Sequence, residues 1–317
     1  MINVVKTAFS TPPSMPLMEM YEQFGITKLQ AKVFYDFYGL RNIAIAADDN
    51  LETLLIQVIK KITDESLIKP EEIDYVIFAH TSLTQAPHSY GLLHRVVKQC
   101  GLSNSNYFGI NLNKCASAIE ALIVAQNILS GDSKAKYALL VSGDIAFTNQ
   151  QRYLQNASIT GDAAAAMLIS NQELIDKGFN LIATSKEVYP EFYKGAWLNE
   201  AQSKKFEDEF PNMMVSVINR SILASNLSLK DIKFILPHNV NFPIWKKIAS
   251  NLGCEFTKVY CENIGKYGHC FSTDFMINLA SVKPLVGENE YIVAASVGFG
   301  LTFISALFQK ISGDFLA

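Results

Sequence analysis

The chain has 317 residues, 49% of them hydrophobic and 18% charged, with a formal net charge of −3. That length and apolar content suffice for a large core, in one wide domain or two fused halves. The mildly acidic balance excludes a basic footprint for nucleic acid, and no apolar run reaches the roughly 18 residues that span a bilayer.

In chain order, "INVVKTAFS" opens as a strand. "LETLLIQVIKKI" then places Leu51, Leu54, Leu55, Val58 and Ile62 on one helical stripe, with Asp49 and Asn50 as capping candidates. Five short apolar runs read as strands covered on both faces: 73–80 "IDYVIFAH", 136–144 "KYALLVSGD", 163–170 "AAAAMLIS", 232–238 "IKFILPH" and 291–300 "YIVAASVGFG". Strands alternating with helices predict an α/β architecture. A weak repeat relates "ESLIKPEEIDYVIFAHTS" (65–82) to "SNLSLKDIKFILPHNVN" (225–241). Its spacing is half the chain, so two copies of one α/β unit are expected, residues 1–171 and 172–317, joined near "NQELIDKGFN" (171–180).

The five cysteines are Cys100, Cys115, Cys254, Cys261 and Cys270. Their odd number, the absence of a CxxC pair and the absence of a signal-peptide pattern lead us to expect reduced thiols and a cytoplasmic protein. Cys115 stands apart. In "GINLNKCASAIEALIVAQNILSG" (109–131) it falls where an extended run meets a helix that is apolar nearly all the way round. Free cysteine is a small hydrophobe that belongs in cores, but a helix N-terminus also favours a nucleophilic thiolate. Among the five histidines, His80 ends a strand, His88 lies in a polar loop and His94 sits beside Arg95 in a helical run; these read as structural or solvated. His238 in "LPHNVN" and His269 in "KYGHCFS" each follow a strand or turn among small and amide residues.

The motifs "KCASA", "TGDAAAAMLIS", "ILPHNVNF", "GHCFSTD" and "SVGFGLTFISALF", in this order across the whole chain, resemble those of the thiolase-fold condensing enzymes, above all β-ketoacyl-ACP synthase III and its secondary-metabolite relatives. The resemblance implies a thiolase-like fold of two duplicated halves in αβαβα layers. It implies that Cys115 is the acyl-accepting nucleophile, with His238 and His269 facing the thioester of a second substrate. Asn239 and Asn241 would orient the His238 loop. The backbone N–H groups of Cys115 and Phe299 would form the oxyanion hole, with Gly298 and Gly300 permitting the turn. No bound cofactor or metal is implied; the substrates are phosphopantetheine thioesters, on an acyl carrier protein or on coenzyme A. The expected assembly is a homodimer, or a heterodimer with a related ketosynthase, with neither nucleic acid nor membrane as partner.

Three positions depart from the synthase III pattern. That pattern has asparagine where His269 stands, so "YGHCFS" is closer to the elongating ketosynthases. Val33 and Phe37 occupy the positions of a tryptophan and an arginine that contact coenzyme A, so a carrier protein is the favoured donor; Arg41, Lys246 and Lys247 could meet it, and Arg152 is a possible coenzyme A contact. Asn113 and Lys114 replace the usual alanines before the cysteine. The leading function is decarboxylative Claisen condensation in fatty acid or polyketide biosynthesis. The alternatives are acyl transfer from Cys115 to an alcohol or amine, and a non-catalytic heterodimer subunit.

Overall fold

The computed structural model describes residues 2–46, 50–83, 85–86, 90–154, 157–172, 178–298 and 302–311. Nine strands form the main sheet: β1 (Ile2–Ser10), β2 (Tyr75–Ala79), β3 (Asn106–Ile110), β4 (Tyr137–Asp144), β5 (Ala163–Ser170), β6 (Gly178–Val188), β7 (Ile232–Leu236), β8 (Tyr291–Gly298) and β9 (Thr302–Ile311). Their order across the sheet is β7-β8-β9-β6-β1-β5-β4-β2-β3. On one side, β2 runs parallel to β3 and β4, while β5 is antiparallel to β4 and to β1. On the other, β7 runs parallel to β8, and β9 is antiparallel to β8 and to β6. The two wings thus repeat one strand order. A single parallel bridge, Ile235 to Val259, stands where the second wing would carry the counterpart of β3. The wings are stitched together by three antiparallel pairs, Ile2–Leu181, Asn3–Asn180 and Val4–Phe179.

Helices cover both wings and separate them. Helix α1 (Leu51–Thr63) and α2 (Leu92–Gln99) pack on the outer face of the first wing. Asn50 caps α1 by accepting the Thr53 N–H; Asp49, the other capping candidate, lies outside the described residues. On the second wing the outer helices are α4 (Glu200–Leu223) and α5 (Phe242–Leu252). Between the wings lie α3 (Ser117–Gly131) and α6 (Asp274–Val282), in one core cluster with Ile77 and Leu140 of the first wing and Leu236 and Ile304 of the second. The layers therefore run helix, sheet, helix, sheet, helix.

Side-chain alternation explains the alanine run of β5. Ala165, Met167 and Ile169 face the central helices, while Ala164, Ala166 and Leu168 face α1. Small side chains on both faces let helices approach the strand from either side. Among the described residues, no helix is long and apolar enough to cross a membrane.

Candidate active site

The chain leaves β3 and turns sharply before α3. Lys114 adopts φ 50°, a left-handed conformation that costs a branched-off side chain about 1–2 kcal/mol. Cys115 follows in a single 3-10 turn, Lys114–Ala116, which leads into Ser117 at the start of α3. The second wing clamps this elbow. The Ser296 hydroxyl of β8 donates to the Cys115 carbonyl at 2.9 Å. Gly298, at the end of β8, passes so close that a Cβ would lie 2.0 Å from the Asn113 oxygen, so only glycine fits. Cys115 is half-buried.

His269 reaches that sulfur through a local unit shared by two motifs. The His269 N–H donates to the Ile159 carbonyl at 3.0 Å, and the Gly161 N–H returns a bond to the His269 carbonyl at 3.0 Å. Gly268 has φ 75°, and a Cβ there would meet the Ile159 oxygen at 2.8 Å. "TGD" and "YGH" are therefore two sides of one packing contact. It sets His269 Nε2 at 3.4 Å from Cys115 Sγ. Nδ1 of the same ring lies 2.5 Å from Asp274 Oδ2, which fixes Nδ1 as the donor and turns Nε2 toward the sulfur.

Asp274, the first residue of α6, is buried and fully engaged. Its Oδ2 also accepts the Asn239 N–H at 2.6 Å, and its Oδ1 accepts the Cys270 N–H at 2.7 Å. Burial alone would push His269 down, but the Asp274 carboxylate and the Cys115 sulfur outweigh it and hold the imidazole up at about 10. An imidazolium so placed pairs with the thiolate once it forms.

His238 stands on the other side, its ring centroid 6.2 Å from that of His269. It packs edge-on against Trp245 at 5.5 Å, and the Trp245 indole N–H donates to the His238 carbonyl at 2.9 Å. Burial, reinforced by the charge on His269, pushes His238 down to about 3, so it is a neutral imidazole. Among the described residues, His238 Nδ1 and Asn239 Nδ2 are buried without a hydrogen-bond partner. The loop holding them is pinned: Asn239 Oδ1 accepts from Asn278 at 2.9 Å, and Asn241 caps α5 through the Ile244 N–H while donating to the Ala157 carbonyl.

The structure corrects one sequence expectation. Arg152 is only 2% exposed, and its guanidinium grips Asp162 through two bonds of 2.7 Å. Asp162 also accepts the N–H groups of Ala46 and Ala146. The pair holds the "TGD" turn in place, and Arg152 is buried in it rather than offered to a ligand at the surface. Arg41, Lys246 and Lys247 are exposed, with Arg41 over the Tyr35 ring and Lys246 over Phe256. Phe299, Gly300 and His88 lie outside the described residues. His80 stacks on Phe78, and His94 meets the Tyr107 hydroxyl at 2.7 Å.

Two residues of the site were not singled out from sequence. Asp274 appears in "GHCFSTD", but five residues do not bring two side chains together on a helix. The left-handed turn at Phe271, φ 54°, does so here. The only sequence signal is an acid opening an apolar helix. Thr81, the other, lies 3.8 Å from Cys115 Sγ. Beside it, Ser82, Leu83, Ile145, Ala146, Phe147, Gln151 and Phe271 line a cavity of about 290 Å³, and the Phe271 ring is 5.9 Å from His269.

A half-buried thiol, a histidine paired with a carboxylate and a neutral histidine thus meet between two α/β halves of like strand order. Sequence models of 3-oxoacyl-[acyl-carrier-protein] synthase III match residues 108–187, and its C-terminal part matches residues 222–310, together just over half of the chain. The β-ketoacyl-[acyl-carrier-protein] synthase III of Lactococcus lactis subsp. lactis (strain IL1403) is 26% identical over 297 residues, covering 86% of this chain and 89% of that protein. Among solved structures, the acyltransferase ChlB3 superposes with a TM-score of 0.85 at 16% identity, over 98% of both chains. The 3-oxoacyl-[acyl-carrier-protein] synthase III of Aquifex aeolicus VF5 superposes with a TM-score of 0.81 at 19% identity, over 98% of this chain and all of that one. The chain belongs to the 3-oxoacyl-[acyl-carrier-protein] synthase III family, thiolase-fold condensing enzymes of the acyltransferase class.

Proposed function

We propose that Cys115 is the acyl carrier of the reaction and that the enzyme joins this acyl group to a malonyl unit by decarboxylative condensation. The observation that carries the proposal is the run Cys115 Sγ, His269 Nε2, Nδ1, Asp274 Oδ2, with distances of 3.4 and 2.5 Å. Thiolate attack on a donor thioester forms the acyl-Cys115 thioester, and the departing pantetheine thiolate takes a proton from His269. A malonyl thioester enters next. Its carboxylate leaves as carbon dioxide, and the electron pair of the broken bond forms an enolate. His269 regains a proton at Nε2 from solvent once the donor thiol has left, and the N–H groups of His238 and His269 then stabilise the enolate oxygen, a task that suits a His238 held neutral. The enolate carbon attacks the acyl carbonyl, the Cys115 backbone N–H supports the oxyanion, and collapse expels the Cys115 thiolate.

The donor in this proposal is an acyl carrier protein. Val33 and Phe37, 38% and 68% exposed, offer neither a stacking indole nor a guanidinium, and Arg152 is committed to Asp162. Arg41 and Lys246 flank an apolar contact in which Phe242 touches Gly39 and Phe256, a basic-rimmed surface suited to an acidic carrier. Among the described residues the outer edge of β3 has no neighbouring strand, and Tyr107 on it and Leu112 just after it are exposed, which supports a dimer along that edge. The halves are assigned to residues 1–171 and 172–317, and the five free thiols suit the cytoplasm.

A second reading keeps Cys115 acylation but hands the acyl group to an alcohol or amine. It is favoured by the Asp274 carboxylate behind His269, which orients the ring as a general base once the sulfur is acylated. Retention of this relay argues against a non-catalytic subunit. Intact-protein mass spectrometry after incubation with acyl carrier thioesters, followed by measurement of carbon dioxide release from a malonyl thioester, separates the readings. Acylation with carbon dioxide release supports condensation. Acylation without it, and with ester or amide formation, supports transfer.

A further inference from the structure

We propose that Thr81 is a second hydrogen-bond donor to the Cys115 sulfur, so that the thiolate sits between a hydroxyl and the His269 imidazolium. The inference rests on Cys115 being the nucleophile. A threonine hydroxyl has one proton and two lone pairs. The Ser272 N–H donates to Thr81 Oγ1 at 3.1 Å and so occupies a lone pair. Among the described residues, the acceptor facing the hydroxyl proton is Cys115 Sγ at 3.8 Å, long for oxygen but within reach of the larger sulfur. The hydroxyl therefore points at the reacting atom because its other side is taken.

The backbone of Thr81 is held as firmly as its side chain. Its N–H donates to both oxygens of buried Asp144, at 3.1 and 2.9 Å, and the Ser82 N–H and the Gln85 amide add bonds of 2.9 and 2.5 Å. Asp144 ends β4, and Ser142, two residues earlier, bonds the hydroxyls of Ser272 and Thr273 at 2.9 and 3.0 Å. One strand thus fixes both groups that set the direction of the Thr81 hydroxyl. The β-branched side chain adds stiffness at χ1. A donor held this way favours the thiolate when it attacks the donor thioester and again when it is expelled at the end of condensation. Thr81 keeps its proton throughout.

The charged and titratable groups around the sulfur are Lys114 on the elbow, His80 and Asp144 on the Thr81 side, and His269, Asp274 and His238 on the side of the second half. None is removed by changing Thr81, so the pH profile isolates the hydroxyl. The test is alkylation of Cys115 by iodoacetamide, followed by peptide mass spectrometry from about pH 5 to pH 10. Thr81→Val keeps the shape and removes the donor. It is expected to slow alkylation about threefold to tenfold near pH 6, the scale of one hydrogen bond to a charged group, and to converge with the parent at high pH. Thr81→Ser restores the donor and is expected within about twofold of the parent throughout. Thr81→Ala, which admits a water to meet the Ser272 N–H, replaces the valine variant if that fails to fold. Superimposed profiles for parent and Thr81→Val would overturn the inference, as would equal slowing of the valine and serine variants at every pH. A Cys115→Ala protein that still takes up acyl groups would instead remove the nucleophile assignment beneath it.

Discussion

Replacing Asp274 with asparagine separates the geometry of the relay from its charge. The two oxygens of Asp274 serve three donors: Oδ2 takes His269 Nδ1–H and the Asn239 N–H, and Oδ1 takes the Cys270 N–H. An amide offers one oxygen. Turned one way, its NH₂ opposes two donors; turned the other way, it opposes only the Cys270 N–H, and this orientation wins. The residual mismatch leaves one buried N–H unpaired, a cost of about 1–3 kcal/mol in stability. His269 then keeps its tautomer, and Nε2 still faces the sulfur. What disappears is the negative charge that offsets burial, so the imidazole falls from about 10 toward the range that burial alone dictates. The thiolate loses its imidazolium partner near neutral pH. Acylation of Cys115 is expected to slow by roughly 10²–10⁴-fold at pH 7, the scale of the assistance that a correctly protonated, positioned histidine gives. The assay is the pre-steady-state acylation burst followed by intact-protein mass spectrometry between about pH 5 and 9, with folding checked by urea melts. An asparagine variant that acylates within threefold of the parent, with an unshifted profile, would refute the assigned role of the carboxylate.

Cys115→Ala should abolish covalent acylation while costing only about 1–2 kcal/mol of stability; peptide mapping that finds the acyl group on Cys270 would contradict the assignment. His238 is held near 3 in the folded chain against an ordinary 6.5, so its contribution is intact above 6.5 and is lost as pH falls toward 3. Urea melts at pH 4 and 7 should therefore show a shallower acid loss in His238→Phe than in the parent, and equal losses would count against a neutral His238. Arg152→Met leaves the Asp162 charge buried and unpaired, so a loss of about 3–5 kcal/mol is expected with no change in the preference between carrier and coenzyme A donors. A selective loss of coenzyme A turnover in a stable Arg152→Met protein would reopen a nucleotide role for Arg152.

Much of the frame was legible because buried strands announce themselves as short, continuously apolar runs. Residues 73–80, 136–144, 163–170, 232–238 and 291–300 contain β2, β4, β5, β7 and β8, each trimmed or matched at its ends. The repeat of 65–82 in 225–241 was visible because β2 and β7 hold the same place in their wings. The site was legible where chemistry rests on residue type, as at Cys115, His238 and His269. It was hidden where a neighbour far along the chain decides the role. Thr81 reads as a loop residue until Ser272, 191 positions later, takes its lone pair. Arg152 reads as a candidate coenzyme A contact until the turn at 158–162 folds Asp162 back onto it. Asp274 reads as a helix-opening acid until the turn at Phe271 carries it to His269.

The turn that leads into α3 packs against the turn that leads into α6, and the two helices hold matching places in the duplicated halves. Their positive ends therefore converge, and Cys115 and Asp274 lie at related points of the repeat. In the proposed reaction each negative charge, on sulfur, on the enolate oxygen and on the collapsing oxyanion, would develop where two peptide dipoles are already aimed. An unduplicated half could supply only one of them. Doubling the unit thus turned a helix end that merely favours anions into an electrostatic focus, in a protein whose overall charge is negative.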